Sequence, residues 1–358
     1  MQPAQRQLRL QRRSAADRRQ LLGQSRGNLS EEDVVAALPW PRRQGSRSRF
    51  ASRSILLFFI AILMNQIEIA YDQPMQLGEC PLWHAGEAAL YWVDISAMQV
   101  HRLRPADGVH AMWQLPAEPG CIGRHAGGGL VVAMRTGVVH LNTDSGELTH
   151  IADAPYDTAT ARFNDGRCDA AGRFWAGTIY EPRDHAGAQL YAIEKDKVRP
   201  AGNPVTVSNG LGFSGDSRIL YHSDTTAHRI CSYEFDLENG VIGAGRVLKQ
   251  FAMDKSAADY GGRPDGAAVD SEDAYWCAMY EGGRLLRLSP SGEVLQEVLL
   301  PVRCPTMMAF GGADLRTLYI TSVSEKRSAA ELQKYPASGY ILSLRVDVPG
   351  RIEPAYIA

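Results

Sequence analysis

A unit of 40 to 56 residues recurs six times between Gln76 and the C-terminus, and that period restricts the chain to very few architectures. Each unit opens on a segment marked by Gly or Pro: GECPLW (78–83), PGCIG (119–123), FNDGRCD (163–169), SNGLGFS (208–214), PDGAAVD (264–270) and CPTMMAF (304–310). An aromatic or β-branched strand follows, such as ALYWVDI (89–95) or AYWCAMY (274–280), and then a third such as QLYAIE or RLLRLSP. Alternating side chains and turns such as Ala-Asp-Gly and Pro-Ser-Gly, with few helical stretches, indicate antiparallel sheet. Six repeats of three to four short strands build an all-β, six-bladed β-propeller. A sandwich or two stacked barrels would not need such regular spacing. No Pro- or Ser-rich linker divides the repeats, so they form one domain. The segment Ile67 to Tyr71 is predicted to close the ring by pairing with C-terminal residues.

Position within the repeat is the functional clue. Glu79, Asn164, Asn209 and Asp265 share one slot, 11 to 13 residues before an aromatic residue of the next strand. The first strand of each blade lines the central channel, so equivalent slots converge at one mouth. Asn-Asp-Gly, Asn-Gly and Pro-Asp-Gly are also turn sequences, and each taken singly reads as a turn. Four oxygen-bearing side chains in one slot point instead to a site. Clustered carboxylates repel unless a proton or cation lies between them. Oxygen-only ligands suit Ca²⁺, Mg²⁺, Mn²⁺ or Zn²⁺.

The segments LGECPLW (77–83), RFNDGRCDAAGRFWAGT (162–178), VSNGL (207–211), RPDGAAVD (263–270) and GGRLLRLSPSGEV (282–294) resemble the senescence marker protein/gluconolactonase/luciferin-regenerating family, in its order and spacing, from about Met64 to Ala358. The resemblance implies a six-bladed propeller with one divalent cation on its axis and hydrolysis of a sugar lactone to its acid. Carried over by motif, Glu79, Asn209 and Asp265 match the metal ligands, and Asp265 also the acid/base. Arg162 and Asn164 match residues that contact substrate. A further substrate-contacting acid follows the AGT segment in the family; here the nearest is Glu181, one position off in an ungapped comparison and followed by Pro182. Cys80 stands where Gly or Ser is usual, a departure expected to leave Glu79 in place.

A lactone is an internal ester, and a cation beside Asp265 supplies what its hydrolysis needs, a polarised carbonyl and a proton acceptor. Other readings are a non-catalytic calcium- or ligand-binding regulatory propeller and a hydrolase of other esters or organophosphates. Retention of Arg162 and Asn164 beside Asp265 favours the enzyme, because a pure cation binder needs no substrate side. The chain has no G-x-S-x-G elbow, no P-loop and no paired-histidine zinc motif. Trp83, Trp92, Trp175 and Trp276 are read as core between blades. Asp94, Asp169, Asp224 and Asp270 are read as turn or strand-end acids that bind backbone.

Charge divides the chain. Residues 1–63 carry twelve Arg, no Lys and four acids, a net of +8, which leaves −10 for the other 295 residues of a chain with a total of −2. The total of −2 gives no global field that recommends nucleic acid or a membrane surface as a partner. Residues 1–53 lack apolar periodicity, and Ile55–Met64 (ILLFFIAILM), at ten residues, is short of the about 20 that a membrane span needs. The leader is read as sequence upstream of a natural start at Met64, with a signal or anchor and a genuine disordered extension as the alternatives. The six cysteines show no C-x-x-C pair and are read as free thiols of a cytoplasmic protein; a genuine leader would make it exported or anchored.

Overall fold

Runs such as ALYWVD are rich in aromatic and β-branched residues and bounded by turn residues, so they form short strands buried on both faces between neighbouring sheets. The computed structural model describes residues 67–358; the leader 1–63 and its apolar run lie outside the described residues. Six antiparallel sheets follow one another around an axis. The innermost strands are Gly78–His84, Pro119–His125, Ala161–Cys168, Ser208–Phe213, Arg263–Val269 and Pro305–Gly311, for blades one to six. They are almost wholly buried, as are the second strands, while outer strands such as Val241–Gln250 are largely exposed. This is the six-bladed propeller expected from the repeats.

The ring closes between the two ends of the chain. Ile67–Tyr71 is the outer strand of blade six and pairs antiparallel with Ile341–Arg345, with Ile69 opposite Leu342. Blades are held to each other by large side chains. Trp92 of blade one packs against Tyr319 and Ile341 of blade six, and Trp175 of blade three against Leu211 and Phe235 of blade four. Trp83 stacks on Tyr319 at 5.7 Å between ring centres. In blades three and five the indole N–H of Trp175 and Trp276 is taken up by Asp169 and Asp270, at 2.8 and 2.9 Å. Those acids also accept turn N–H groups, as Asp94 and Asp224 do at the other end of their strands.

Each innermost strand carries one extra residue relative to its neighbour, at or just after the slot residue in blades one, three, four and five. In blade one Glu79 faces Val93 and Leu82 faces Tyr91, and in blade four Asn209 faces Ser223 and Gly212 faces Tyr221. A bulge of this kind bends the strand and re-aims a side chain. Its left-handed residue is Gly210 in blade four (φ 59°) and Cys80 in blade one (φ 43°). A Cβ on Gly210 would sit 2.3 Å from the Tyr275 hydroxyl, so only glycine fits there.

Beyond blade six the chain crosses the far end of the channel. Pro349 and Gly350 bond Ser271 and Leu315, Glu353 pairs with Arg167, and Ala355–Tyr356 lies parallel to the innermost strand of blade two. All six cysteines are free, five of them buried. Among the described residues no helix is long and apolar enough to cross a membrane.

Candidate active site

The bulges place Glu79, Asn164, Asn209 and Asp265 on four different blades but in the wall of one cavity at the mouth of the axis. Three are joined by hydrogen bonds. The Asn164 amide donates to Asn209 Oδ1 at 2.9 Å and to the Ser208 carbonyl at 3.0 Å. The Asn209 amide donates to Asp265 Oδ1 at 2.6 Å and to Thr225 Oγ1 at 2.8 Å. Arg162, buried at the start of its strand, donates to Asn164 Oδ1 and to the Phe163 carbonyl, both at 2.9 Å. Arg162, Asn164, Asn209 and Asp265 thus form one relay whose geometry is fixed from blade three to blade five. Thr225 braces it by donating to the Pro264 carbonyl at 2.8 Å.

Burial dominates the electrostatics. The Glu79 carboxyl is pushed well above its ordinary value by burial, and then by Asp265 and Asp165. Asp265 is pushed up to about 8 by burial; Arg263, Arg183 and Arg162 work against that shift, while Asp165 adds to it. Asp165, on the channel wall behind them, is raised to about 6 by burial, and its Oδ1 has no hydrogen-bond partner. Buried carboxylates this close favour a positive charge among them. The available donors are two carboxylates and two amide oxygens, of which Asn209 Oδ1 keeps a second lone pair, and such an all-oxygen set suits a hard divalent cation. Among the described residues no three His, Cys, Asp or Glu side chains form a metal-binding group, so a cation here depends on amide oxygen.

Glu181 lies on the rim beside this cavity, immediately after the second strand of blade three. Arg135 donates to both its oxygens, at 2.8 and 3.2 Å, and Arg162 Nε is 3.9 Å away. The bond to Arg135 holds its carboxyl below the usual value. The structure therefore gathers all six residues named from the sequence at one mouth. Several others there were not foreseen: Thr225, Arg135, Arg183, Arg263, Tyr280 and the pair Lys326-Arg327. Two of these had a signal. Arg263 opens RPDG as Arg162 opens RFNDG, and Tyr280-Glu281 repeats Tyr180-Glu181 one blade pair on. Blade five accordingly repeats the Arg/Glu couple, with Arg263 Nε 3.6 Å from Glu281. Arg183, Lys326 and Arg327 sit in loops of unequal length, where no repeat marks them.

Comparison with known proteins agrees with this architecture. A family described as "SMP-30/Gluconolactonase/LRE-like region" matches residues 77–324. The chain is 49% identical over 295 residues to a 6-deoxy-6-sulfogluconolactonase of Pseudomonas putida, covering 82% of this chain and 99% of that one. It is 32% identical over 286 residues to regucalcin of Gallus gallus, covering 78% and 94%. Among solved structures, a regucalcin from Agrobacterium tumefaciens, described as a calcium-binding protein, superposes with a TM-score of 0.76 at 27% identity, covering 80% of this chain and 96% of that one.

Proposed function

This chain belongs to the SMP-30/gluconolactonase/LRE-like family, and from that membership we propose that it hydrolyses a sugar lactone to the open acid with the help of one divalent cation. The relative at 49% identity is named for a gluconolactone carrying a sulfo group at its terminal carbon, which places the substrate of this reading among the aldonolactones. The observation that carries the proposal is the relay from Arg162 through Asn164 and Asn209 to Asp265, set beside Glu79 at the open end of a channel. A protein that only stored a cation would have no use for Arg162 and Glu181 beside it. We take residues 64–358 as the working unit, and the free thiols fit a reducing compartment such as the cytoplasm.

Glu79, Asn209 and Asp265 are the residues that would hold the cation. When bound, it polarises the lactone carbonyl as a Lewis acid, and Ca²⁺, Mg²⁺, Mn²⁺ or Zn²⁺ all suit the donors. Arg162, Asn164 and Glu181 hold the sugar hydroxyls and so fix the ring over the relay. Asp265 takes a proton from the attacking water while the water oxygen bonds to the carbonyl carbon. It returns that proton to the ring oxygen as the carbon–oxygen bond breaks, leaving a hydroxyl and a carboxylic acid. Asp265 can accept only when ionised, a form that burial alone disfavours at neutral pH.

The test is a panel of sugar lactones assayed with chelator-stripped protein and each of the four cations in turn. Acid release is expected only when a cation is restored. Full activity with no metal retained removes the cation from the proposal, and no turnover of any lactone with any cation removes the lactonase.

A further inference from the structure

We infer that Arg263, Arg183 and Arg327 form an anion subsite on the blade five and six side of the mouth, which takes a tetrahedral acidic group, sulfonate or phosphate, on the end of the substrate remote from the lactone carbonyl. The inference rests on the lactonase reading above and adds residues to it.

The first ground is a charge surplus. The cavity that contains the relay is lined by five cationic side chains and three carboxylates, and two of those carboxylates are Glu79 and Asp265. Hydrolysis of a neutral lactone gives no reason for the surplus.

The second ground is the state of the arginines. Arg263 and Arg327 both lie over the ring of Tyr280, at 5.2 and 5.7 Å from its centre, and their side chains are only 18% and 16% exposed. Two guanidinium groups on one ring repel each other in a half-dry setting, where like charges are poorly screened. Each is paired only loosely with a carboxylate, at 3.6 Å. Arg263 is 3.6 Å from Glu281, and its Nε is buried with no hydrogen-bond partner. Glu281 is already engaged by Lys255 at 2.9 Å and by the Tyr260 hydroxyl at 2.8 Å. Arg327 is 3.6 Å from Glu331, which Arg303 holds at 2.7 Å, and it donates only long bonds to the Glu325 carbonyl at 3.3 Å and to Cys304 Sγ at 3.4 Å. The Arg183 guanidinium makes no ion pair or hydrogen bond among the described residues, yet lines the same cavity. The planar donor forks of Arg263 and Arg183, left short of acceptors, match a group with three equivalent oxygens. The Arg162/Glu181 couple on blade three remains for the hydroxyls, so the two ends of the substrate are told apart by charge.

The test compares gluconolactone with its 6-sulfo and 6-phospho counterparts at saturating cation, by kcat/KM, in the unaltered protein and in Arg263→Gln and Arg183→Gln. The acidic lactones are expected to be preferred, and each substitution to cut the preference roughly ten- to hundredfold, the worth of a charge-assisted hydrogen bond. Arg183 is exposed, so its substitution keeps the test valid if Arg263→Gln fails to fold. Whichever acid is preferred identifies the natural group. Equal kcat/KM for acidic and neutral lactones, or a preference that survives both substitutions, overturns the subsite. If no lactone is opened at all, the lactonase reading fails, and calorimetric titration with 6-deoxy-6-sulfogluconate decides the subsite alone: tight binding weakened by both substitutions supports it, and no binding overturns it.

Discussion

In the proposed reaction Asp265 does two things, holding a cation and moving a proton, and substitution can separate them. Asp265→Asn keeps an oxygen for coordination but loses the basic site. If it only held the cation, excess metal would restore kcat by mass action. With proton transfer lost as well, kcat at saturating metal stays down by roughly 10²- to 10⁴-fold. Glu79→Gln is the control, since coordination is its only assigned task, and saturating metal is expected to rescue it more fully. Equal rescue of both would take the proton transfer away from Asp265. The relay also limits what sequence could tell. The slot shared by Glu79, Asn164, Asn209 and Asp265 was legible because repeats impose equivalence. That Asn209 donates to Asp265 was not, because hydrogen bonds across blades depend on distances that no spacing encodes. A second pair of residues gives a pH signature away from the site. His101 is held down to about 3 by burial and then by its neighbour His110, which burial holds down to about 4. Both are lowered from an unfolded value near 6.5, so the unfolded chain takes up more protons below that pH. The stability they contribute is present above pH 6.5 and is lost as pH falls toward 4 and then 3. The melting temperature is expected to fall across that window. His101→Phe, which can keep the stack on Trp92 at about the same place, is expected to flatten the fall.

At the scale of elements, the strands were legible because their alternation has the period of a pleat, and the blades because the alternation recurs. The one-residue bulge of each innermost strand was not. An extra residue in a short strand looks like any turn, and Asn-Asp-Gly or Pro-Asp-Gly reads as one. Yet the bulges are what bring the four slot residues to the channel. The tail after blade six was equally opaque, because its residues bond singly to successive blades and form no pattern of their own. The closing strand was legible, and its role can be tested. A chain that starts at Met64 retains Ile67–Tyr71 and is expected to be fully active. One that starts at Asp72 leaves blade six with three strands, and is expected to melt lower by roughly 10 °C or more. Thermal denaturation of the two chains measures the difference.

For the molecule as a whole, stability resides in the contacts between blades and not in the axial cluster. Chelator-stripped protein is therefore expected to keep its β-sheet circular dichroism and a cooperative melt, at a melting temperature lower by the linkage of cation binding. Loss of sheet on chelation would show that the cation is a structural keystone. The closure between the ends has one further consequence, which concerns time. Ile69 meets Leu342, a partner 273 residues later in the chain. Synthesis at roughly 5–20 residues per second puts on the order of ten seconds or more between the two. For that interval Ile67–Tyr71 lacks its partner strand, five blades stand as an open arc, and the exposed flank of blade one is bare. The ring shuts only after Ile341–Arg345 has left the ribosome, so this protein is most vulnerable to misassembly just before that strand arrives.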